Sequence, residues 1–402
     1  MMFTRARKFC ACPKLLVGAL ALCAITATLN AQTNAVYVQS NISSTKGNSI
    51  LGFSNDGAGN LTPLPNSPYL TNGTGWGLLR GQKLGIQNDS DDQIVINAAK
   101  DLLFTVNAFS NTISTFKINP DASLTLLGQP VPSGGTMPAS IALLEGLQSG
   151  NALMVVVNKS ADPNQNNRKL PNMVSFTVTP DGVVTPNTTS KVNFNSGDGP
   201  SQAVILPGNM VVVDVQAAQP SYLAGYRLHS NGTFEALTNI DAPPGDTVFL
   251  GMVQSPVSKY FYAAFPEQGL LGVYSYVASA GTISMVTDVA TTGVLPCWLA
   301  VSNNGKHLYS GDTMSGTISF FDVSDPTKPA FKQALKLSTD VGNGTPWNVA
   351  LDPSGKFLYA ITGLALHVIN IQADGSLMEL TTPLKLDLPP GTLPYGLATV
   401  LK

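Results

Sequence analysis

Asp214 in "VVVDVQ" and Asp312 in "LYSGDT" are carboxylates set near the ends of apolar, strand-like runs, and Lys159 closes a third such run, "MVVVNK". Hydrolysis at a carbonyl needs a base or an activated water, and a cation or hydrogen-bond donor for the developing oxyanion. Arginine is scarce: beyond residue 31 only Arg80, Arg168 and Arg227 occur. Arg227 sits mid-strand before a hairpin and faces solvent. Arg80 in "GWGLLRGQK" and Arg168 in "DPNQNNRKL" stand in loops, from which a guanidinium can reach an anionic group. The catalytic candidates are therefore Asp214, Lys159, Asp312, Arg80 and Arg168. The enzyme reading predicts that Lys159, Arg80 or Arg168 converges with Asp214 or Asp312 around a narrow pocket at the channel mouth.

Other chemistries lack their signatures. No Gly-x-Ser-x-Gly elbow, His-Glu-x-x-His motif or cysteine pair for zinc is present. His229 falls in a hairpin turn, and His307 and His367 fall at strand positions taken elsewhere by Phe357 and Ser114, so all three read as surface or packing histidines. The cluster "NDSDDQ", Asn88 to Gln93, lacks the spacing of a calcium loop and reads as a solvated acidic loop. No metal or other cofactor is implied.

The elements that must position these groups are repeats. "LPCWLAVSNNGKHLYSGDTMSGTISFFDV", from Leu295, returns as "TPWNVALDPSGKFLYAITGLALHVINI", from Thr345. The "LY" run of this frame appears seven times, near Val36, Leu103, Met154, Val211, Tyr260, Leu308 and Leu358, roughly 45 to 65 residues apart. Each copy alternates apolar and polar residues, as in "NTISTFKI" and "GTISFFDV". Turns such as "TPDGVV" and "HSNGTF" supply the Asp-Gly and Asn-Gly pairs that hairpins need. No segment has a helical period. Seven copies of four strands predict an all-β fold, a seven-bladed β-propeller. The chain beyond residue 31 starts inside a repeat and ends on "LPYGLATVL", the opening strand of one, so the N- and C-terminal strands are expected to pair and close the ring.

In that register, the loop entering each inner strand and the residue ending each "LY" strand point to one end of the propeller. The first set holds Gln87, Ser140, Gln202, Cys297, Trp298, Trp347, Asn348 and Tyr395; the second holds Asn107, Asn158, Lys159, Asp214 and Asp312. Trp76 joins Trp298 and Trp347 in such loops. Rings and amides together would stack on and hydrogen-bond a sugar or small organic acid at the channel mouth. The competing reading makes the tryptophans wedges between blades. Cys297 has no histidine near it in register to activate it and reads as a buried thiol.

"LFTVNAFSNTISTFKINPDASLTLL" from Leu103, "PSGGTMPASIAL" from Pro132, "PCWLAVSNNGKHLYSGDTMSGTISFF" from Pro296 and "GFSNDGAGNLTPL" from Gly52 resemble the lactonase family of seven-bladed propellers. That family includes 6-phosphogluconolactonases and carboxymuconate-cyclizing enzymes. The resemblance implies hydrolysis or isomerisation of a lactone or related small organic acid. The alternative is a non-catalytic propeller that binds carbohydrate, peptide or protein at the cell surface.

"MMFTRARKFCACPK" carries Arg5, Arg7, Lys8 and Lys14 without an acid and precedes the apolar run "LLVGALALCAITATL". This is the layout of a signal peptide over residues 1–31, leaving 32–402 as a single propeller domain. Export to the periplasm or medium is expected, as a monomer with no membrane span after processing. Removing the leader leaves 18 basic residues against 24 acidic ones, a net charge near −6, which excludes nucleic acid as a natural partner. Only Cys297 remains of the four cysteines, so disulfides cannot hold the fold.

Overall fold

Each "LY" run is apolar on both faces, and each becomes the second strand of an antiparallel blade, covered by the blades on either side. These strands are Asn34–Gln39, Leu102–Asn107, Ala152–Asn158, Met210–Gln216, Tyr260–Phe265, His307–Asp312 and Phe357–Thr362. The computed structural model describes residues 32–76, 90–159, 169–217, 220–243, 248–380 and 382–402. Residues 33–402 form one compact unit, an all-β ring of seven blades, each with four strand positions and, among the described residues, no helix.

Blades 1 to 6 follow the chain, with inner strands Ile94–Ile96, Pro138–Leu144, Gly199–Leu206, Met252–Gln254, Pro296–Val301 and Pro346–Leu351. Blade 7 is shared between the two ends. Its inner strand, Leu397–Leu401, pairs with Asn34–Gln39, placing Val38 opposite Leu397 and Asn34 opposite Leu401. The terminal strands thus close the ring, and no blade is left with an unpartnered neighbour.

The core is divided among the seven junctions. One apolar cluster fills each, from Val156 and Phe176 against Leu102 and Phe104 between blades 1 and 2, round to Tyr37 against Leu103 and Phe116 between blades 7 and 1. Full burial of each such side chain stabilises by about 1.5–3 kcal/mol, so the ring needs no covalent staple.

The repeated tyrosine of the "LY" strand also links blades. The Tyr37 hydroxyl donates to the Ala122 carbonyl at 2.6 Å, and Tyr309 donates to Gly375 at 3.0 Å, both in outer hairpins of the next blade. Tyr359 accepts from Asn55 Nδ2 at 2.7 Å, again one blade on. Gly375, at φ +89°, has no room for a Cβ, which would lie 2.5 Å from Phe320 Cζ. Tyr309→Phe, which strips the Gly375 carbonyl of its partner, is expected to lower unfolding stability by about 1–2 kcal/mol in a denaturant titration. The same hairpins use aspartates as acceptors: Asp121 takes the Ser123 amide and Asp374 the Ser376 amide, both at 3.0 Å. Bonds to the neighbouring serines hold both carboxyls below their ordinary pKa.

Candidate functional site at the channel mouth

Strand register puts the inner-strand starts and second-strand ends at one end of the ring: Gln202 lies opposite Asp214, Pro296 opposite Asp312 and Pro138 opposite Asn158. Side-chain direction then separates residues that share this end.

Asn107, Asn158 and Asp312 turn into their own blades and do not line the mouth. Each is 0% exposed and lies under a glycine of the loop that enters its blade, Gly73, Gly135 and Gly293 respectively. A Cβ on Gly293 would lie 2.1 Å from Asp312 Oδ2. Asp312 accepts from Ser310 at 2.6 Å, Thr317 at 2.8 Å and Ser319 at 2.6 Å. Burial raises its pKa, and these hydroxyls oppose the rise. Asn107 donates through Nδ2 to Ser114 Oγ at 2.8 Å and accepts at Oδ1 from Asn48 and Thr71. These three residues clamp loops to blades. In blade 6 the clamp is Thr362, whose hydroxyl meets His367 Nε2 at 2.6 Å while His367 Nδ1 meets Glu379 at 2.5 Å. This chain of three groups resembles a hydrolase relay, but Thr362 and His367 are 0% exposed and occupy the clamp position. His307, packed edge-on against Phe320, and His229, beside Glu235, lie away from the mouth.

Inner-strand residues stitch a blade to the next at three junctions. Ser140 Oγ accepts from the Ala203 amide at 3.1 Å, Gln202 Oε1 from Met252 at 2.5 Å and Asn348 Oδ1 from Leu397 at 3.1 Å. Gln202 and Asn348 have donors to spare, and these point inward. Asn348 Nδ2 donates to Asp91 at 3.0 Å and Gln202 Nε2 to Asp92 at 2.7 Å, while Trp298 Nε1 donates to the Ser90 carbonyl at 2.9 Å. One short segment leading into blade 1 is therefore gripped from blades 3, 5 and 6. Only a position on the ring axis can satisfy all three. The acidic loop anticipated as solvated is thus corrected: Asp91 is 8% exposed and Asp92 half-buried, at the centre of the mouth. Asp92 takes the left-handed φ of 56° that a short polar side chain tolerates.

Lys159 and Asp214 do come together, below this segment. Lys159, 1% exposed, reaches from blade 2 into blade 3, where its Nζ donates to Ser201 Oγ at 3.0 Å. Asp214, 0% exposed, accepts the Ser201 amide at 3.2 Å and the Gln202 amide at 2.5 Å. Burial pushes Asp214 up to about 7, against the pull of those amides and the Lys159 charge, with the Asp92 charge raising it further. Burial likewise pushes Asp92 up to about 6, opposed by the Gln202 bond. Asp91 lies well above the carboxylate range through burial and the charge of Asp92.

Trp298 is 1% exposed and stands edge-on to Trp347 at 6.2 Å and to Tyr395 at 5.8 Å, within the cluster between blades 5 and 6. This is the wedge arrangement, with Trp298 also holding Ser90. Cys297 is buried in the same cluster, its thiol directed to the Leu295 carbonyl at 3.3 Å. Met137 and Leu295, each preceding the proline that opens an inner strand, are bulky residues at φ 57° and 59°. Such backbone costs on the order of 1 kcal/mol or more and collects at sites whose geometry matters.

Arg80, Gln87, Arg168 and the 1–31 leader lie outside the described residues. Among the described residues no group of three or more His, Cys, Asp or Glu is placed to hold a metal ion, and no helix is long and apolar enough to cross a membrane.

Residues 220–394 match the model of the Lactonase family, described as a seven-bladed beta-propeller. Among solved structures, a protein from Lactobacillus plantarum matches with a TM-score of 0.70 at 17% identity, over 92% of this chain and 99% of that one. A putative 6-phosphogluconolactonase from Bacteroides fragilis gives 0.69 at 16%, over 93% and 99% of the two chains. The periplasmic gluconolactonase of Pseudomonas aeruginosa gives 0.70 at 15%, over 92% and 99%. At such identities the likeness is one of fold. The chain therefore resembles the lactonase family of seven-bladed propellers in architecture around the ring, and in sequence over residues 220–394.

Proposed function

We propose that the chain opens the ring of a lactone, or a related cyclic ester of a small organic acid, at the channel mouth with Asp92 as general base. The supporting observation is a pair of adjacent carboxyls held at the centre of the mouth from two blades, Asp91 by Asn348 and Asp92 by Gln202. Burial raises both, and Asp92, half-buried and raised to about 6, is ionised at neutral pH. A base poised near the working pH is suited to take a proton from water. Asp92 takes a proton from water as the water oxygen adds to the lactone carbonyl. The intermediate collapses, the ring C–O bond breaks, and the proton passes to the leaving ring oxygen. One water is consumed and one hydroxy acid released. Asp214 and Lys159 are fully buried and act through position: Asp214 fixes the Gln202 amide, and the Gln202 side chain fixes Asp92. Neighbours described as gluconolactonases support a lactone-related function at the level of the family.

The same reading makes residues 1–31 a cleaved export signal and residues 32–402 a monomeric propeller domain in the periplasm or medium. The Pseudomonas neighbour, described as periplasmic, is consistent with it. The test is acid release in a pH-stat, from small sugar lactones and aromatic-acid lactones, above the uncatalysed rate. Folded protein that accelerates none of them sinks the enzyme reading and favours a non-catalytic binding propeller.

A further inference from the structure

On the face opposite the mouth, the turns leading into the second strands of blades 5 and 6 are the Gly-Lys turns of the repeat, "SNNGK" from Ser302 and "DPSGK" from Asp352. Asn303 Nδ2 ties the two together by donating to the Pro353 carbonyl at 3.1 Å. With the outer hairpin of blade 6 they line a groove of about 320 Å³, large enough for a small ligand. Its apolar wall is Tyr309, Leu351 and Ile371, and its bases are His307 and Lys356. The neighbouring acids are already satisfied. Asp352 accepts from Ser354 Oγ at 2.6 Å, from the Lys356 amide at 3.0 Å and from Asn34 Nδ2. Asp374 takes the amide and hydroxyl of Ser376, while Asp322 takes the Ser324 amide and faces Lys332 at 3.9 Å. Among the described residues the His307 ring nitrogens and Lys356 Nζ have no such partner, so the groove is left electropositive. The corresponding groove between blades 1 and 2 carries Asp101 and Glu145 instead, so the repeat supplies the groove and the local residues its charge.

We propose that this groove binds the C-terminal residue of a peptide, its carboxylate between Lys356 and His307 and its apolar side chain on Leu351 and Ile371. Hydrogen bonds from a cation to a carboxylate are the strong kind, and capture of a chain end is an established mode of peptide recognition. The rim favours a peptide over a free acid. Asn304 Oδ1 is used by Ser302 and Lys306, and Gln372 Nε2 by Asn370, which leaves the Asn304 Nδ2 donor and the Gln372 Oε1 acceptor for a peptide group. Burial holds His307 below its ordinary pKa, helped by the Lys306 charge and opposed by Asp322 and Asp374. The only other charged residues lining the groove are Asp352 and Lys356. The imidazole therefore gains its charge in mild acid, where a C-terminal carboxyl of pKa ~3.5 is still ionised. Binding here stands apart from Asp92 on the other face and does not require turnover.

Isothermal titration of the protein with N-acetyl-alanyl-leucine, its C-terminal amide and 4-methylpentanoate reads the proposal directly. The dipeptide acid is expected to bind in the millimolar range or tighter, and the amide, which lacks the charge, about tenfold more weakly or worse. 4-Methylpentanoate keeps the carboxylate and the apolar body without the peptide group, and should bind at least threefold more weakly than the dipeptide. Lys356→Met removes the ammonium from an exposed position, so affinity should fall about tenfold with the melting temperature unchanged. Affinity of the parent should strengthen about threefold or more from pH 7 to pH 5, and His307→Gln should abolish that gain while leaving binding at pH 7 nearly intact. No binding of the dipeptide acid by folded protein at either pH, or equal affinity for its amide, overturns the proposal. So does 4-methylpentanoate that binds as tightly as the dipeptide, parent affinity in Lys356→Met, or an unchanged pH gain in His307→Gln.

Discussion

Asp92→Asn is expected to slow lactone opening by about 10²–10⁴-fold, the usual worth of a positioned general base. Asparagine is the informative substitution because it preserves everything else the residue does. It still accepts from Gln202 Nε2, as Asp92 does at 2.7 Å. It also tolerates the left-handed backbone at φ 56°, where alanine would be strained. The variant cannot ionise, so it removes the proton acceptor without emptying the mouth. Its melting temperature at neutral pH should match or exceed that of the parent, since a half-buried charge has been removed. A loss of rate accompanied by an equal loss of folded protein would place Asp92 among the structural residues instead.

Lys159→Met is expected to produce the largest loss of stability, about 3–5 kcal/mol near pH 8, because it leaves Asp214 buried without the cation that favours its ionised form. The pH dependence carries the sign. Burial raises Asp214 from 3.8 to about 7 and Asp92 to about 6, so between those limits the folded protein holds more protons than the unfolded chain. That contribution is full below pH ~4 and is lost as pH rises through the folded values. Hairpin carboxyls such as Asp121 and Asp374 run the other way, since their lowered values cost stability only as pH falls below ~4. Denaturant titrations should therefore show the parent weakening from about pH 4 to about pH 7, with the Lys159→Met deficit opening as pH rises past about 7, where the parent's Asp214 ionises beside Lys159. Lys159→Met combined with Asp214→Asn should recover much of the loss. A deficit that is constant with pH would mean that Lys159 stabilises by packing alone.

The ring was legible because its signals are local. Period-two runs, hairpin turns and the repeated "LY" strand lie within one copy of the frame, and all seven second strands fall where those runs stand. The site was less so. Register correctly put Asp214 and Asp312 at one end of the ring, yet Asp214 turns to the inner strand beside a bulge between Pro200 and Gln202, while Asp312 turns under Gly293 into its own hydroxyls. No local pattern separates those directions. Asp91 and Asp92 were visible as an acidic run, but the partners that bury them, Asn348 and Gln202, lie 257 and 110 residues away in sequence. A clue was present: the run leads directly into "IVI", where other copies place Gln202, Trp298 and Asn348 at the start of the inner strand. Trp298 was read both as ligand platform and as wedge, and its packing against Trp347 and Tyr395 assigns it to the wedge.

The most direct measurement is the pH–rate profile of lactone opening by the parent protein, corrected for spontaneous hydrolysis, alongside Asp92→Asn. A saturable rate that climbs with pH through an apparent pKa near 6 in the parent, and loses that limb in Asp92→Asn, is the result expected of a general base at the channel centre. Turnover that is absent from folded parent protein, or that keeps the same limb and magnitude in Asp92→Asn, would contradict it.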